Sequence, residues 1–518
     1  MRTQRLFIIT LLLIRFFFPA VLEAETRLTI LHTSEHHGTA LPDEDGMGGL
    51  AYQATVIKEI RAKEKNVLLL NSGDLLIGTL MSTVFKGVPD VLAMNLMKYD
   101  AVTVGNHEFD FGLMAFQNLK DLARFPFLSA NIQRRETTPS SPNLTQPWVI
   151  REFDGLKVGV LGLTTVEARE IMNPALVKQI TIQDPIPMAH QVVSTLRHRV
   201  DLIIALTHQD NEDDIALAKA VPEIDVIIGG HTEGFDGILP IDSLTTRVST
   251  ASMRELENPP TIYVKTHRQG KTLGRLDLVI ENGKILKAKA ENIPINSRIL
   301  QPDEEIAHLL RIYSDQLNQD LKRVIGKTQV ELNGERDWIR SRESNLGNFI
   351  ADMVRSYTQT DISFINAGAI RASIQKGDIT LGDLYRVFPF LGNTLVTFQI
   401  TGADIQEALE NSVSQVEKGA GRFLQVSGLT YTYNAKAPLG KRVLEVKVNG
   451  TPLVPDRLYK VSTTNYLAEG GDGYIIFLEN RKNYHDTQIR LIDLLKEHIQ
   501  KQGVISPQVE GRIVEKST

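Results

Sequence analysis

Cysteine is absent from all 518 residues of the chain. Its absence excludes disulfide staples, thiol chemistry and lipid attached through sulfur. A basic excess is missing too: 57 Lys and Arg stand against 62 Asp and Glu, for a net charge of −5. Broad nucleic-acid surfaces need clustered Lys and Arg, so a nucleic-acid polymer is not an expected partner and any phosphate recognition must be local. No hydrophobic tail closes the chain, which ends Val514-Glu515-Lys516-Ser517-Thr518. There is no internal repeat or low-complexity tract.

What remains is 42% apolar and 23% charged residues, the composition of a soluble globular protein. The length exceeds what one hydrophobic core organises, so two or three domains are expected. Met1 to Ala24 carries Arg2 and Arg5, then the apolar runs Leu6 to Ile14 and Phe16 to Leu22 on either side of Arg15. A spanning helix wants about 20 unbroken apolar residues, so this stretch reads as a secretory signal peptide cleaved near Ala24. Cleavage removes three arginines and one glutamate, which moves the net charge from −5 to −7. A periplasmic or secreted protein without a stable membrane anchor is the expectation.

From Arg27 to about Pro294, apolar strands alternate with amphipathic helices. Helices are predicted over Leu50 to Lys63, Pro89 to Lys98, Leu113 to Arg124 and Pro185 to Arg197, the last with Asp184 as its N-cap and Pro185 in first position. Asp154-Gly155 and Asn282-Gly283 mark hairpin turns. Ile306, Leu309, Leu310, Tyr313, Leu317 and Leu321 space one long helix over Asp303 to Val324. Beyond Gly326 the pattern restarts, with helices over Asn345 to Tyr357 and Thr401 to Ser412 and a hairpin at Asn449-Gly450. The expected organisation is a signal segment (1–24), a first domain (25–300), a linker helix (301–325) and a second domain (326–518).

Five apolar runs in the first domain each stop at metal-binding side chains: Glu35-His36-His37-Gly38, Asp74, Gly105 to Asp110, His208, and Gly229 to Glu233. Runs such as Val67 to Leu70 read as buried strands, and strand carboxyl ends are where α/β sheets collect ligand sites. Carboxylates, imidazoles and one carboxamide together suit a pair of divalent cations sharing a carboxylate. His107 with Asp110 forms a plausible imidazole and orienting-carboxylate pair. His32, His36, His190, His198 and His267 read as ordinary histidines.

In these motifs the chain resembles the bacterial and ecto 5′-nucleotidase/UDP-sugar hydrolase family, a two-domain branch of the calcineurin-like metallophosphoesterases. The resemblance rests on Ile30-Leu31-His32-Thr33 leading into Glu35-His36-His37-Gly38, on Gly48-Gly49-Leu50-Ala51, Asn71-Ser72-Gly73-Asp74, Gly105 to Asp110 and Gly229-Gly230-His231-Thr232. It continues through Arg342 to Asn348, Asn366 to Arg371, Pro389-Phe390 and Gly470-Gly471-Asp472-Gly473. It implies a four-layer αββα metallophosphoesterase domain, a linker helix and a carboxyl-terminal α+β domain. It also implies an exported phosphohydrolase that releases phosphate from nucleoside 5′-monophosphates and other nucleotides by attack of a metal-bound hydroxide. One metal would take Glu35, His37, Asp74 and Glu233. The other would take Asp74, Asn106, His208 and His231. The ions would be Mn, Zn, Mg or Co, with His107 and Asp110 as the catalytic dyad. Arg342, Asn366 and Arg371 would contact phosphate and sugar, Phe390 and Tyr466 would sandwich a base, and Asp472 would lie beside the ribose.

Two positions depart from the family: Asp is usual where Glu35 stands, and His or an amide where Glu233 stands. Both belong to the first metal, which becomes richer in oxygen and so favours Mn²⁺ or Mg²⁺ over Zn²⁺, or is held weakly. The alternatives are a 2′,3′-cyclic phosphodiesterase/3′-nucleotidase and a nucleotide-binding protein that has lost turnover. Phe390 and Tyr466 could instead be core aromatics, and Arg342 could pair with a surface acid.

Overall fold

In the five site-bearing runs, successive side chains enter different cores. Leu28 and Ile30, Leu68 and Leu70, Leu202, Ile204 and Leu206, and Val226 and Ile228 share one cluster, while the intervening Leu31 and Leu69 join a second and Ile203, Ala205 and Ile227 a third. Side chains of a strand alternate faces, so a run apolar at every position is a strand buried on both sides. The shared cluster is therefore the interior between two stacked sheets, and the others lie beneath helices on the outside. A computed structural model describes residues 25–135, 143–172, 174–177, 179–235, 238–240, 255–257 and 259–516. The expected signal segment falls outside them.

The first sheet is seven-stranded and holds Thr26–Thr33, Val67–Asn71 and Ala101–Thr103 side by side, parallel and in register Thr33 to Asn71 to Val102. Thr272–Glu281 pairs antiparallel with Thr26–Thr33 on its other flank. The second sheet is six-stranded, with Leu202–His208 between Leu156–Thr164 and Val226–Gly229, all parallel. Helices Leu50–Lys63 and Val88–Met97 cover the first sheet, and Pro185–Leu196 and Asn211–Ala220 the second. The result is four layers, αββα. Both hairpin turns form where positive φ was expected, at Asp154-Gly155 (φ 49° and 89°) and Asn282-Gly283 (φ 53° and 70°).

The linking helix runs Glu304–Lys322, and the Asp303 carboxylate accepts from the Ile306 amide as its N-cap. Its Ile306 and Leu310 are buried in the core under the first sheet, with Tyr313 edge-on to Phe85. The carboxyl-terminal half is built around a five-stranded mixed sheet in the order Leu424–Ser427, Ile362–Asn366, Leu458–Thr464, Thr394–Thr401, Lys482–Arg490. Helix Asn345–Thr358 packs on it, and Thr401 with Asp404 closes a capping box at the start of Gly402–Val413.

One buried charge sits awkwardly in the helical layer. Asp90, in the first turn of Val88–Met97, is 1% exposed and neither carboxylate oxygen has a well-formed hydrogen bond. Burial pushes its pKa from 3.8 up to about 7, which its own backbone amide offsets only in part. The folded state then binds more protons than the unfolded state between these values, so stability falls as pH rises through that window. Asp90→Asn is expected to raise the thermal midpoint at pH 8 and to leave it nearly unchanged at pH 4, read by calorimetry at both pH values.

Candidate metal centre and ligand cavity

The two sheets end together, three strands of one and two of the other, and the loops leaving them are tied to each other. Glu35 and His37 donate their amides to the carbonyls of Gly73 and Asp74 at 3.1 and 2.9 Å. Four residues there hold left-handed backbone: Glu35 (φ 51°), His37 (φ 48°), Asp74 (φ 55°) and His231 (φ 72°). Each such residue costs roughly 1–3 kcal/mol and persists only where surrounding structure dictates it. Packing is tight enough that a Cβ on Gly105 would lie 2.2 Å from an Asp74 oxygen.

Asp74 is the hub. One of its oxygens accepts from the His107 amide at 3.0 Å, and the other lies 3.2 Å from His208 Nε2 and 4.0 Å from His107 Nε2. His208 Nδ1 faces the Ser72 carbonyl at 2.7 Å, while its Nε2 is 3.2 Å from Asn106 Oδ1. His231 Nε2 is 2.8 Å from Glu167, and His107 Nδ1 is 2.6 Å from Asp110. In His208 and His231, donating one ring nitrogen to an oxygen leaves the other as a ligand. Two sets of donors lie within 4.8 Å of one another and share Asp74: His37, Asp74 and His107, and Asp74, His208 and His231.

The electrostatics favour cations here. Burial opposes charge on His107, yet Asp110 and Asp74 bring its pKa up to about 9. Burial likewise opposes charge on His208, and Asp74, Glu35 and Glu108 raise it to about 10. A cluster whose carboxylates pull protons onto two imidazoles has a net demand for positive charge, and donors of this kind meet it with divalent ions. The set around Asp74, Asn106, His208 and His231 therefore fits a cation.

The set expected for the first metal is only partly assembled. Glu35 is fully buried with one oxygen 3.3 Å from His37 Nε2, but it belongs to neither group that contains Asp74. Its other oxygen accepts from the His231 amide at 2.5 Å. Glu233 is turned away, its side chain 64% exposed and 3.1 Å from His267 Nδ1. Lys265 Nζ donates to the hydroxyl of the preceding Thr232 at 2.6 Å. The expected oxygen enrichment from Glu233 is thus not found in the cluster.

A second feature lies in the other half. A cavity of about 420 Å³ is lined by Asn366, Arg371, Phe390, Tyr466 and Asp472, with Arg340, Asn393 and the glycines 368 and 421. Phe390 and Tyr466 are each 45% exposed, so they are not core aromatics. Asp472, with φ 54°, accepts from Asn366 Nδ2 at 2.7 Å and from the Tyr466 hydroxyl at 3.1 Å. The Arg371 guanidinium lies 5.0 Å over the Phe390 ring. Arg342 does not line this cavity; it stacks on Trp338 at 4.5 Å. Arg340 does, because the short helix Arg336–Ile339 ends beside it and turns it inward, where its buried Nε has no hydrogen-bond partner.

Residues 28–233 match the family model of calcineurin-like phosphoesterases, and residues 324–479 that of the 5′-nucleotidase carboxyl-terminal domain. The 5′-nucleotidase of Diplobatis ommata is 32% identical over 95% of this chain and 90% of its own length. The chain belongs to the 5′-nucleotidase family of calcineurin-like metallophosphoesterases. It is a phosphoric monoester hydrolase of that type, acting on nucleotides. The trifunctional nucleotide phosphoesterase YfkN of Bacillus subtilis is 34% identical over 94% of the chain, which spans 35% of that longer protein. A 5′-nucleotidase precursor from Thermus thermophilus has a similar structure, with a TM-score of 0.60 at 34% identity, covering 95% of this chain and 100% of that one.

Glu108 escaped the sequence reading although it lies inside the Gly105 to Asp110 motif. Buried and raised by that burial and by Asp74 to about 7, it accepts from the amides of Gly105 (2.6 Å), Leu75 (2.6 Å) and Asp74 (3.1 Å). It thereby pins the Asp74 loop to the Asn106 loop. Glu108→Gln, with one acceptor oxygen for three donors, is expected to weaken Mn²⁺ binding by roughly 10–100-fold, measured by calorimetric titration.

Proposed function

We propose that this hydrolase releases phosphate from nucleoside 5′-monophosphates, and from other nucleotides, using two divalent cations drawn from Mn²⁺, Zn²⁺, Mg²⁺ or Co²⁺. The observation that carries this reading is the pairing of an Asp74-centred cation cluster with a separate cavity walled by two exposed aromatic rings. Bases stack on such rings regardless of identity, and Asp472 offers acceptors for a ribose. Arg340 and Arg371 provide forked donors for phosphate oxygens. When bound, the ions supply Lewis-acid charge that activates water and screens the phosphoryl oxygens. Asp74, Asn106, His208 and His231 would hold one ion, and Asp74 and His37 with Glu35 the other.

The protein groups have their own tasks. Asp110 accepts from His107 Nδ1 and fixes the ring, so that Nε2 faces the cluster and donates toward charge building on the moving phosphoryl group. The cavity is lined by the carboxyl-terminal half alone, whereas the larger cleft between the halves, about 740 Å³, has His107 and Asp110 on one wall and Leu391, Gly392 and Asn465 on the other. Those last residues adjoin Phe390 and Tyr466 in sequence, so the same two loops border both the clamp and the cleft. Rotation of the carboxyl-terminal domain would bring a clamped nucleotide to the cluster, with 301–325 as the hinge-bearing linker between domains 25–300 and 326–518. Among the described residues no helix is long and apolar enough to cross a membrane. We read the chain as an exported periplasmic or secreted enzyme whose first 24 residues are removed.

A second reading is 2′,3′-cyclic phosphodiesterase and 3′-nucleotidase activity, since the YfkN relative is named a trifunctional nucleotide phosphoesterase and so is credited with more than one activity on nucleotides. Phosphate release from 5′-, 3′- and 2′,3′-cyclic nucleotides with each metal separates the two, and a 3′ or cyclic preference would overturn the first. His107→Ala is expected to lower kcat for AMP with Mn²⁺ by roughly 10²–10⁴-fold. Phe390→Ala or Tyr466→Ala should instead raise KM by about 5–150-fold, from roughly 1–3 kcal/mol of stacking, with kcat little changed.

A further inference from the structure

The two cation positions differ in what already occupies their ligands. Glu35 has two oxygens and about four lone-pair directions, and four protein donors surround it. One oxygen faces the His231 amide at 2.5 Å and His208 Nδ1 at 3.4 Å, and the other faces His37 Nε2 at 3.3 Å and the Arg268 guanidinium at 3.4 Å. Arg268 is held in place. The same terminal nitrogen donates to the His231 carbonyl at 3.0 Å, and the neighbouring Gln269 amide donates to the Glu35 carbonyl at 2.7 Å. Among the described residues no guanidinium pairs with Asp74, Asn106 or His208, and both imidazoles of that set have a ring nitrogen tied to an oxygen, His208 to Ser72 and His231 to Glu167.

Resting on the two-cation reading above, we propose that Arg268 is a resident competitor for the first cation. Its fixed charge takes one oxygen of Glu35, so the Glu35–His37 position binds its ion weakly and exchangeably while the Asp74–His208–His231 position binds tightly. A cation at Glu35 would replace the direct His37 contact by shared ligation, but it would still have to displace the guanidinium or share the carboxylate with it.

Titrating the chelator-stripped full chain with Mn²⁺ in a calorimeter tests this. Wild type is expected to give two steps separated by at least about tenfold in Kd. Arg268→Ala and Arg268→Gln should tighten the weaker step by about tenfold, within the range by which side chains around a metal's ligands set its affinity, and leave the tighter step unmoved. Arg268→Lys, which keeps the charge, should tighten it less. Two equal steps in wild type, or a weak step that neither neutral substitution moves, would overturn the proposal while leaving the metallohydrolase reading intact. Absence of any binding heat with Mn²⁺, Zn²⁺, Mg²⁺ or Co²⁺ would overturn both.

Discussion

Asp74 is the constraint on which the rest depends. A carboxylate only 2% exposed, touching His208 through one oxygen and the His107 amide through the other, can stay ionised only if positive charge is kept close. Burial alone would push its pKa up, and the imidazoles beside it bring it down. The left-handed backbone of Asp74 and of three flanking residues is the structural counterpart of that demand. These residues are bent out of ordinary conformations so that donors from five loops face one point.

Two stacked sheets make this convergence possible. A single sheet would spread five loops along one edge, about 4.8 Å per strand. Dividing them three and two between sheets about 10 Å apart folds that line into a compact patch. The price is an interior that must be apolar on both faces of every site-bearing strand, which is why those runs contain so few polar residues. The same core anchors the first turns of the linking helix, so the carboxyl-terminal half is held through an element whose base belongs to the catalytic half.

Much of this was legible in the residues. Doubly buried strands announce themselves as unbroken apolar runs, and Asp-Gly or Asn-Gly pairs mark turns because only such residues tolerate positive φ cheaply. The metal-binding side chains were visible because they follow those runs directly. Side-chain direction was not. Glu35 and Glu233 sit where ligands are expected, but their carboxylates meet partners far along the chain: Glu35 faces Arg268, and Glu233 is exposed beside His267. Arg340 and Arg342 differ by two positions at the end of a short helix, where no periodicity tells which one turns inward. The antiparallel strand Thr272–Glu281, some 240 residues from the strand it flanks, left no local trace of its partner.

The two loops that carry Phe390 and Tyr466 also border the cleft that holds His107, through Leu391, Gly392 and Asn465. A shift of either loop therefore reshapes the aromatic cavity and one wall of the cleft together. The two compartments share a partition, and neither can be altered there without the other feeling it.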